Sequence, residues 1–390
     1  MSRLRILVSG FLGLLPAGGV AWDYVQYPVG LAELGHDVYY IEDTGLWPVY
    51  QTAVGDSTEN MRYINAIAGE FGLSGRWAYR DEPTRRWFGL DETTVKELIR
   101  TADVFVNVSC ASPMRDEYRA IPVRVLIDSD PMFTQIQHMS QESFTPGASS
   151  MRDLIAGHTH HFTFGENVGA ADCRIPDCGV DWKPTRQPIC LTRWHECPPV
   201  TGADAAYTTV MNWAAGPPLI YGNDTWGQKD IEFRRIIDLP SAVPDIPLAI
   251  AVGGLGGPQF PTKAVLNAGW QLIDSASSCG NWRLYRSFIE KSRGEFSVAK
   301  ETYVKARTGW FSCRSACYLA AGRPVVAQDT GWSRQIPTGE GLFAFEDRDE
   351  AAQALRRVAA DPERHSRAAR LIAEEFFDSR VVLTNLIESL

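Results

Sequence analysis

The sequence predicts an α/β chain of two Rossmann-like domains facing across a cleft. Three observations carry this. Short apolar strands alternate with segments of helical spacing in both halves of the chain. Polar side chains gather just after those strands, where open α/β sheets hold their ligands. An irregular stretch over residues 170–205, dominated by Pro, Cys, Trp and Arg, separates the two alternating runs. The length of 390 residues agrees, because single domains run to roughly 100–200 residues. The predicted division is an N-terminal domain over 1–175, a connection over 176–205, a C-terminal domain over 206–375 and a closing helix over 376–390.

The first strand is Leu4-Arg5-Ile6-Leu7-Val8-Ser9-Gly10, followed by a glycine-rich loop to Gly19. Val25, Val29, Leu31 and Leu34 then recur at helical spacing, with Pro28 and Gly30 predicting a kink and Gly35 a C-cap. Asp37 to Asp43 is a strand rich in β-formers, which completes a βαβ unit. Further strands are predicted at 103–108, 123–128 and 161–164, with Ser109, Asp128, Ser129, Asp130 and Glu166 clustered at their C-terminal ends. The second half restarts at 207–213 and continues with strands at 246–252, 270–274 and 324–327. Residues 349–390 read as helical, with Ala351, Leu355, Val358, Ala359, Ala369, Ile372 and Phe376 in phase.

Composition excludes several classes. The formal net charge of -9 repels phosphate backbones, so no nucleic-acid partner is expected. The longest early apolar run is broken by Gly10, Gly13, Pro16, Gly18 and Gly19, so no membrane span is expected. The same punctuation favours a strand and loop over a signal peptide, and the expected location is cytoplasmic. Cys173, Cys178, Cys190 and Cys197 are separated by four, eleven and six residues. Structural zinc uses tighter pairs, so free thiols and no metal are expected. Most of the 12 Trp residues are expected to pack rather than to bind.

Four places carry candidate chemistry. Gly18 and Gly19 follow the first strand, and small residues there let backbone N–H groups approach an anion at a helix start. They do not form a dinucleotide fingerprint, because Gly-x-Gly-x-x-Gly does not occur. Asp23, in the first helical turn, is a candidate catalytic carboxylate. The second place runs from Gly309 to Gly331 as loop, helix, Gly cap, strand and loop. Ser312 is the predicted N-cap, leaving N–H groups for a phosphate. Arg314 sits in the first turn, where a cation opposes the helix dipole unless an anion is bound, and Ser315 lies beside it. The third place, Tyr221 to Asp230, contributes Lys229, with Asn212 at the end of the preceding strand. The fourth comprises His158, His160 and His161, with His160 as the candidate for sugar or acceptor contact. Asp128 and Asp130, at a strand end, are candidates to orient acceptor hydroxyls.

These motifs resemble the GT-B glycosyltransferases. Gly18-Gly19-Val20, the helix, and Gly35-His36-Asp37-Val38 are similar to the opening of retaining members such as glycogen synthases, with Val20 in place of Leu. The run Leu319-Ala320-Ala321-Gly322-Arg323-Pro324-Val325-Val326 resembles the donor-binding region, and looks closest to the spore-coat-type, glycosyltransferase-like bacterial group. The resemblance implies a nucleotide-diphosphate sugar as donor and a small-molecule or glycan acceptor, with retention and no required metal or other cofactor. It implies donor contacts from Lys229, Ser312, Arg314 and the loop Asp329-Thr330-Gly331. Many relatives carry a ribose-gripping Glu five residues before the Gly, where this chain has Cys317. Glu295 and Glu301 are the substitutes at hand. Asp128-Ser129-Asp130 is a rival hint, since Asp-x-Asp holds a metal in another glycosyltransferase fold. The alternatives are a sugar-nucleotide epimerase of the same fold and a non-catalytic nucleotide-sugar-binding protein. Acceptor-binding loops are expected within 44–100 and 131–155.

Overall fold

The computed structural model describes residues 2–48, 56–140, 150–202, 204–214, 216–253 and 259–390. The chain divides into two compact units, and each is described by itself. The first comprises Met1–Gly165, Pro176–Cys190 and Ser379–Leu390; the second comprises Glu166–Ile175 and Leu191–Asp378. The predicted connection over 176–205 is therefore split between them, and the closing helix belongs to the first.

The first unit holds one eight-stranded sheet. Its strands are β1 (Arg5–Ser9), β2 (Asp37–Glu42), β3 (Trp77–Asp81), β4 (Arg86–Gly89), β5 (Val104–Val108), β6 (Val123–Asp128), β7 (His160–Thr163) and β8 (Trp182–Pro184). The order is β4-β3-β2-β1-β5-β6-β7-β8. All pairs are parallel except β3 with β4. The central strands read as continuous apolar runs because both sheet faces are covered: Ile6, Leu7, Phe105, Val125, Leu126 and Ile127 are all fully buried. The order reverses at β1, so the switch point, where a crevice opens at the strand ends, lies between β1 and β5.

The second unit holds the hairpin β10 (Leu219–Tyr221) with β11 (Asp224–Trp226), and a six-stranded sheet. That sheet is built from β9 (Tyr207–Asn212), β12 (Leu248–Gly253), β13 (Gln271–Asp274), β14 (Gly294–Ser297), β15 (Val325–Gln328) and β16 (Leu342–Phe345). Its order, β13-β12-β9-β14-β15-β16, is all parallel. Counted in sequence this is 3-2-1-4-5-6, the dinucleotide-fold order, reached without the glycine fingerprint. Aromatic rings fill its core: Phe233 lies 5.0 Å from Trp270, which lies 5.7 Å from Phe296, which stacks on Phe345 at 5.2 Å.

Every predicted strand is present within a few residues. Those missed, β3, β4, β8, β10, β11, β14 and β16, are short or sit beside charged residues such as Arg80, Arg86 and Glu295. The helix Gly18–Glu33 runs unbroken through Pro28, and Gly35 takes the predicted left-handed conformation at φ +92°. Gly30 has a packing reason. A Cβ there would lie 2.6 Å from Leu383 Cδ1 and 2.9 Å from Ser379 Cβ, so the glycine admits the closing helix Ser379–Glu388. Among the described residues, no helix is long and apolar enough to cross a membrane.

This packing is testable by denaturation. Gly30→Leu should destabilise the protein by about 1–3 kcal/mol through overpacking. Gly69→Ala, at a helical position with nothing within 4 Å, should stabilise it by about 0.5 kcal/mol. Equal midpoints for the two variants would mean that the closing helix is not seated against Gly30.

Candidate functional site

Parallel pairing places the C-terminal end of every strand but β4 at one edge of each large sheet. In the first unit the helix Gly18–Glu33 starts at that edge, after β1. Gly18, Gly19 and Val20 occupy its first three positions, and the first helical bond closes from Ala21 N to Ala17 O at 2.9 Å. Ala17 provides no side-chain cap. The loop leading there is fixed from beneath by Glu42, at the end of β2. Its fully buried carboxylate accepts from the N–H groups of Gly13 (2.8 Å) and Leu14 (2.6 Å) and from the Tyr40 hydroxyl (2.6 Å). Burial pushes the Glu42 carboxyl up to about 7, against the pull of those donors.

Asp23 lies half-buried one turn into the same helix, beside Tyr24. The Tyr24 hydroxyl hydrogen-bonds to Ser109, and Ser129 Oγ donates to Ser109 Oγ at 2.7 Å. Burial, then the Asp23 charge, with Asp130 and Glu42 adding to it, raise Tyr24 well above the usual phenol range. Ser109 and Cys110 both have φ +57°, a left-handed conformation that costs roughly 1–2 kcal/mol per non-glycine residue. Asn107 holds the turn by accepting from Ser112 N (3.0 Å) and donating to Ser112 O (2.9 Å). Asp23, Tyr24, Ser109, Ser129 and Asp130 thus gather at the first unit's switch point. Tyr24 and the strained turn were not foreseen, since no glycine marks Ser109 or Cys110.

Two predicted residues of this unit are corrected. Asp128 is fully buried, and its oxygens accept from Thr134 Oγ1 (2.6 Å), Asp130 N (3.0 Å), Gln135 Nε2 (2.9 Å) and Thr163 Oγ1 (2.8 Å). It pins the loop after β6 and has no oxygen left for an acceptor. Asp130 is the carboxylate of that string at the edge, so Asp128 and Asp130 do not face a common metal. His160 begins β7, paired with Val125, and so lies at the opposite end of the strand from the ligand edge. His158 and His161 are tied to Leu154 O (2.7 Å) and Ile155 O (2.8 Å). Burial lowers all three imidazoles, His158 to about 3.

In the second unit the edge carries Asn212 at the end of β9, Gly253 at the end of β12, and Asp329, Thr330 and Gly331 after β15. Asn212 is exposed, and its Oδ1 lies 2.4 Å from where a Cβ on Gly253 would stand. Lys229 opens the helix Lys229–Arg235. On either side of it, Gln228 and Asp230 line an open cleft of about 610 Å³ with Pro217, Pro218, Ile231 and Gln259. Asp329 accepts from Gly331 N (2.8 Å) and Ser333 Oγ (2.7 Å), and Thr330 donates to Trp310 O (2.7 Å). Gly331, at φ +94°, touches Asn167, which donates to its carbonyl at 3.1 Å.

Ser312 stands at the predicted N-cap of the helix Cys313–Ala320, but its side chain makes no capping bond. The void at this helix start is about 10 Å³, bounded by Ser312, Ser315, Thr330, Trp310, Phe311 and Trp332 among others. That is room for one water at most and not for a diphosphate. Arg314 is corrected as well. Its guanidinium is buried, pairs with the fully buried Glu295, and donates to Val210 O (2.8 Å) and Ser297 Oγ. Burial opposes its charge, but Glu295 together with Tyr285 and Tyr318 outweighs burial and raises it further. The conflict between a first-turn cation and the helix dipole is resolved by Glu295 rather than by a ligand. Glu301 accepts from Gly227 N at 2.7 Å, and Cys317 is fully buried, so none of the three stands free to grip a ribose.

No protein-family model matches the sequence, and no curated protein is similar to it in sequence. Solved structures are similar in backbone. AviGT4, a glycosyltransferase involved in avilamycin A biosynthesis, aligns over 99% of this chain and 97% of its own at 12% identity, with a TM-score of 0.55. An alpha-glucosyltransferase in complex with UDP and a 13-mer DNA containing a HMU base aligns over 99% of both chains at 10% identity, with a TM-score of 0.57. The fold is GT-B.

Two outcomes follow from the buried charges. Arg314→Ala should cost about 3–5 kcal/mol by leaving Glu295 buried and unpaired; an unchanged denaturation midpoint would place the guanidinium outside the fold. Glu42 keeps its proton in the folded state to about pH 7, whereas an unfolded glutamate loses it near 4.3. Its contribution to stability is therefore complete below that lower value and fades as pH rises through about 7. Relative to Glu42→Gln, the native protein should lose on the order of 3 kcal/mol across this window. Parallel pH profiles for the two proteins would mean that Glu42 is solvated.

Proposed function

We propose that this chain is a glycosyltransferase that moves a sugar from a nucleotide-diphosphate donor to an acceptor hydroxyl. The observation that carries the reading is the cleft at the C-terminal edge of the second unit's 3-2-1-4-5-6 sheet, with Lys229 between two of its lining residues. The likeness to solved glycosyltransferases over nearly the whole chain supports it.

In this reading the nucleotide lies against Pro217, Pro218 and Ile231, with Gln228 and Gln259 as hydrogen-bonding groups. Asp230 accepts from the ribose hydroxyls, the task for which relatives use the Glu that Cys317 replaces. Lys229 faces the diphosphate. As the bond from the anomeric carbon to the diphosphate breaks, negative charge grows on the departing phosphate oxygen. A cation already in place stabilises that charge without reorganisation. The acceptor oxygen forms the new bond to the anomeric carbon, and its proton passes to the departing phosphate, which suits retention. In the first unit taken by itself, the amides of Gly18 and Gly19 suit an anion, and Asp23 and Asp130 suit hydroxyls. No step needs a metal. Charge growth during sugar transfer sets this apart from a binding protein.

A thermal-shift series of UDP, GDP, ADP and their nucleosides tests the donor. One diphosphate should raise the melting temperature by mass action. Lys229→Ala should weaken that diphosphate roughly 10- to 100-fold, as for a hydrogen bond to a charged group, and leave the nucleoside unchanged. Equal losses for both, or no shift with any diphosphate, would overturn the assignment.

A further inference from the structure

A second cavity lies in the first unit, outside every residue assigned above. It is an open groove of about 600 Å³ lined by Asp43, Arg80, Arg85, Trp87, Lys96 and Arg115, with Glu92, Asp116, Glu117 and Tyr118 completing the wall and Val95 and Ile99 the floor. That volume is typical of a small-molecule site. Asp43 follows β2 directly, so the groove opens at the same sheet edge as the helix start at Gly18.

The groove is rigidly built. The side chain of Asp43 is only 2% exposed, and it grips Arg115 through two bonds, Nε to Oδ2 (2.7 Å) and Nη2 to Oδ1 (2.8 Å). Arg80 reaches the same carboxylate at 3.4 Å and Glu82 at 2.6 Å. A guanidinium carries five donors in a fixed fork, so both arginines keep N–H groups beyond these bonds. Trp87 stands opposite Arg80 across the β3–β4 pair, half-buried, with one side packed on the apolar core.

Charge decides the ligand class. The cations are Arg80, Arg85, Lys96 and Arg115; the carboxylates, counting Glu82, are Asp43, Glu82, Glu92, Asp116 and Glu117. Four positive charges against five negative leave no net attraction for a phosphate or a carboxylate. What remains is a dense set of fixed donors and acceptors beside one aromatic face. That combination suits a neutral molecule with many hydroxyls and an apolar ring face.

We propose that this groove binds a neutral sugar ring, stacked on Trp87 with its hydroxyls shared between the Arg80 and Arg115 guanidiniums and the facing carboxylates. Resting on the transferase reading, it makes the acceptor a neutral glycan rather than a phosphorylated small molecule.

Saturation-transfer NMR on the full chain, without nucleotide, tests this with maltotriose, chitotriose and xylotriose as neutral probes and glucose 6-phosphate as the anionic one. At least one neutral probe should bind, and more tightly than the sugar phosphate. Trp87→Leu should weaken it about three- to tenfold, the worth of an aromatic contact. Arg62→Ser, at an exposed position outside the groove, is the control that keeps the fold, and should leave neutral-probe binding within about twofold. No signal from any neutral probe, tighter binding of glucose 6-phosphate, or unchanged affinity in Trp87→Leu would overturn the proposal. Sugar binding without any diphosphate shift would leave the groove standing and remove the transferase. A diphosphate shift without sugar binding would do the reverse.

Discussion

Parallel strand pairing is the constraint on which the rest depends. Each crossover helix must return the chain to the same end of the sheet, so strand C-termini and helix N-termini collect at one edge. Both units obey this. Gly18, Ser109 and Asp130 share an edge in the first, and Asn212, Lys229 and Thr330 share one in the second. Neither cluster is encoded by a contiguous motif. Each is assembled by topology from segments far apart in sequence.

Edge loops of this kind need anchors, and the chain uses buried carboxylates for them. Glu42 holds the loop after β1, Asp43 holds Arg115 and Arg80, Asp128 holds the loop after β6, and Glu295 holds Arg314. Glu42, Asp43 and Asp128 stand at or just after the C-terminal end of a strand, Glu295 lies within β14, and all four are turned inward. Removing a carboxylate from water costs several kcal/mol, and only dense hydrogen bonding offsets it. The result is a set of loops with little freedom, placed where a ligand meets the protein. The carboxylates that remain at the edge, such as Asp23 and Asp130, are the ones with chemistry to perform.

This division explains what was legible in the sequence. Strand and helix positions were readable because burial on both faces writes apolar runs, as in β1, β5 and β6. The places of Lys229, Asn212 and the loop at Asp329 along the fold were readable because they lie at or just after strand ends. Asp128 and Arg314 were misplaced because the sequence shows which residues lie at an edge but not which way they turn. For Asp128 the deciding partners are Thr134, Gln135 and Thr163, whose side chains draw its carboxylate inward. For Arg314 the deciding partner, Glu295, is 19 residues away. His160 was misplaced because it precedes the apolar part of β7 and so stands where that strand begins, not at the ligand edge. The left-handed Ser109 and Cys110 had no signal at all, since their conformation is imposed by Asn107 and Ser112 rather than by glycine.

The seat of the closing helix against Gly30 bears on how the chain is made. The first unit is finished only by residues 176–190 and 379–390. During synthesis, at about 5–20 residues per second, the polypeptide waits roughly 10–40 s between those two pieces. The half that emerges first from the ribosome is thus the half completed last. The surface at Gly30 against which Leu383 and Ser379 pack stays open until residues 379–390 follow, which makes that nascent interval the natural point for chaperone engagement.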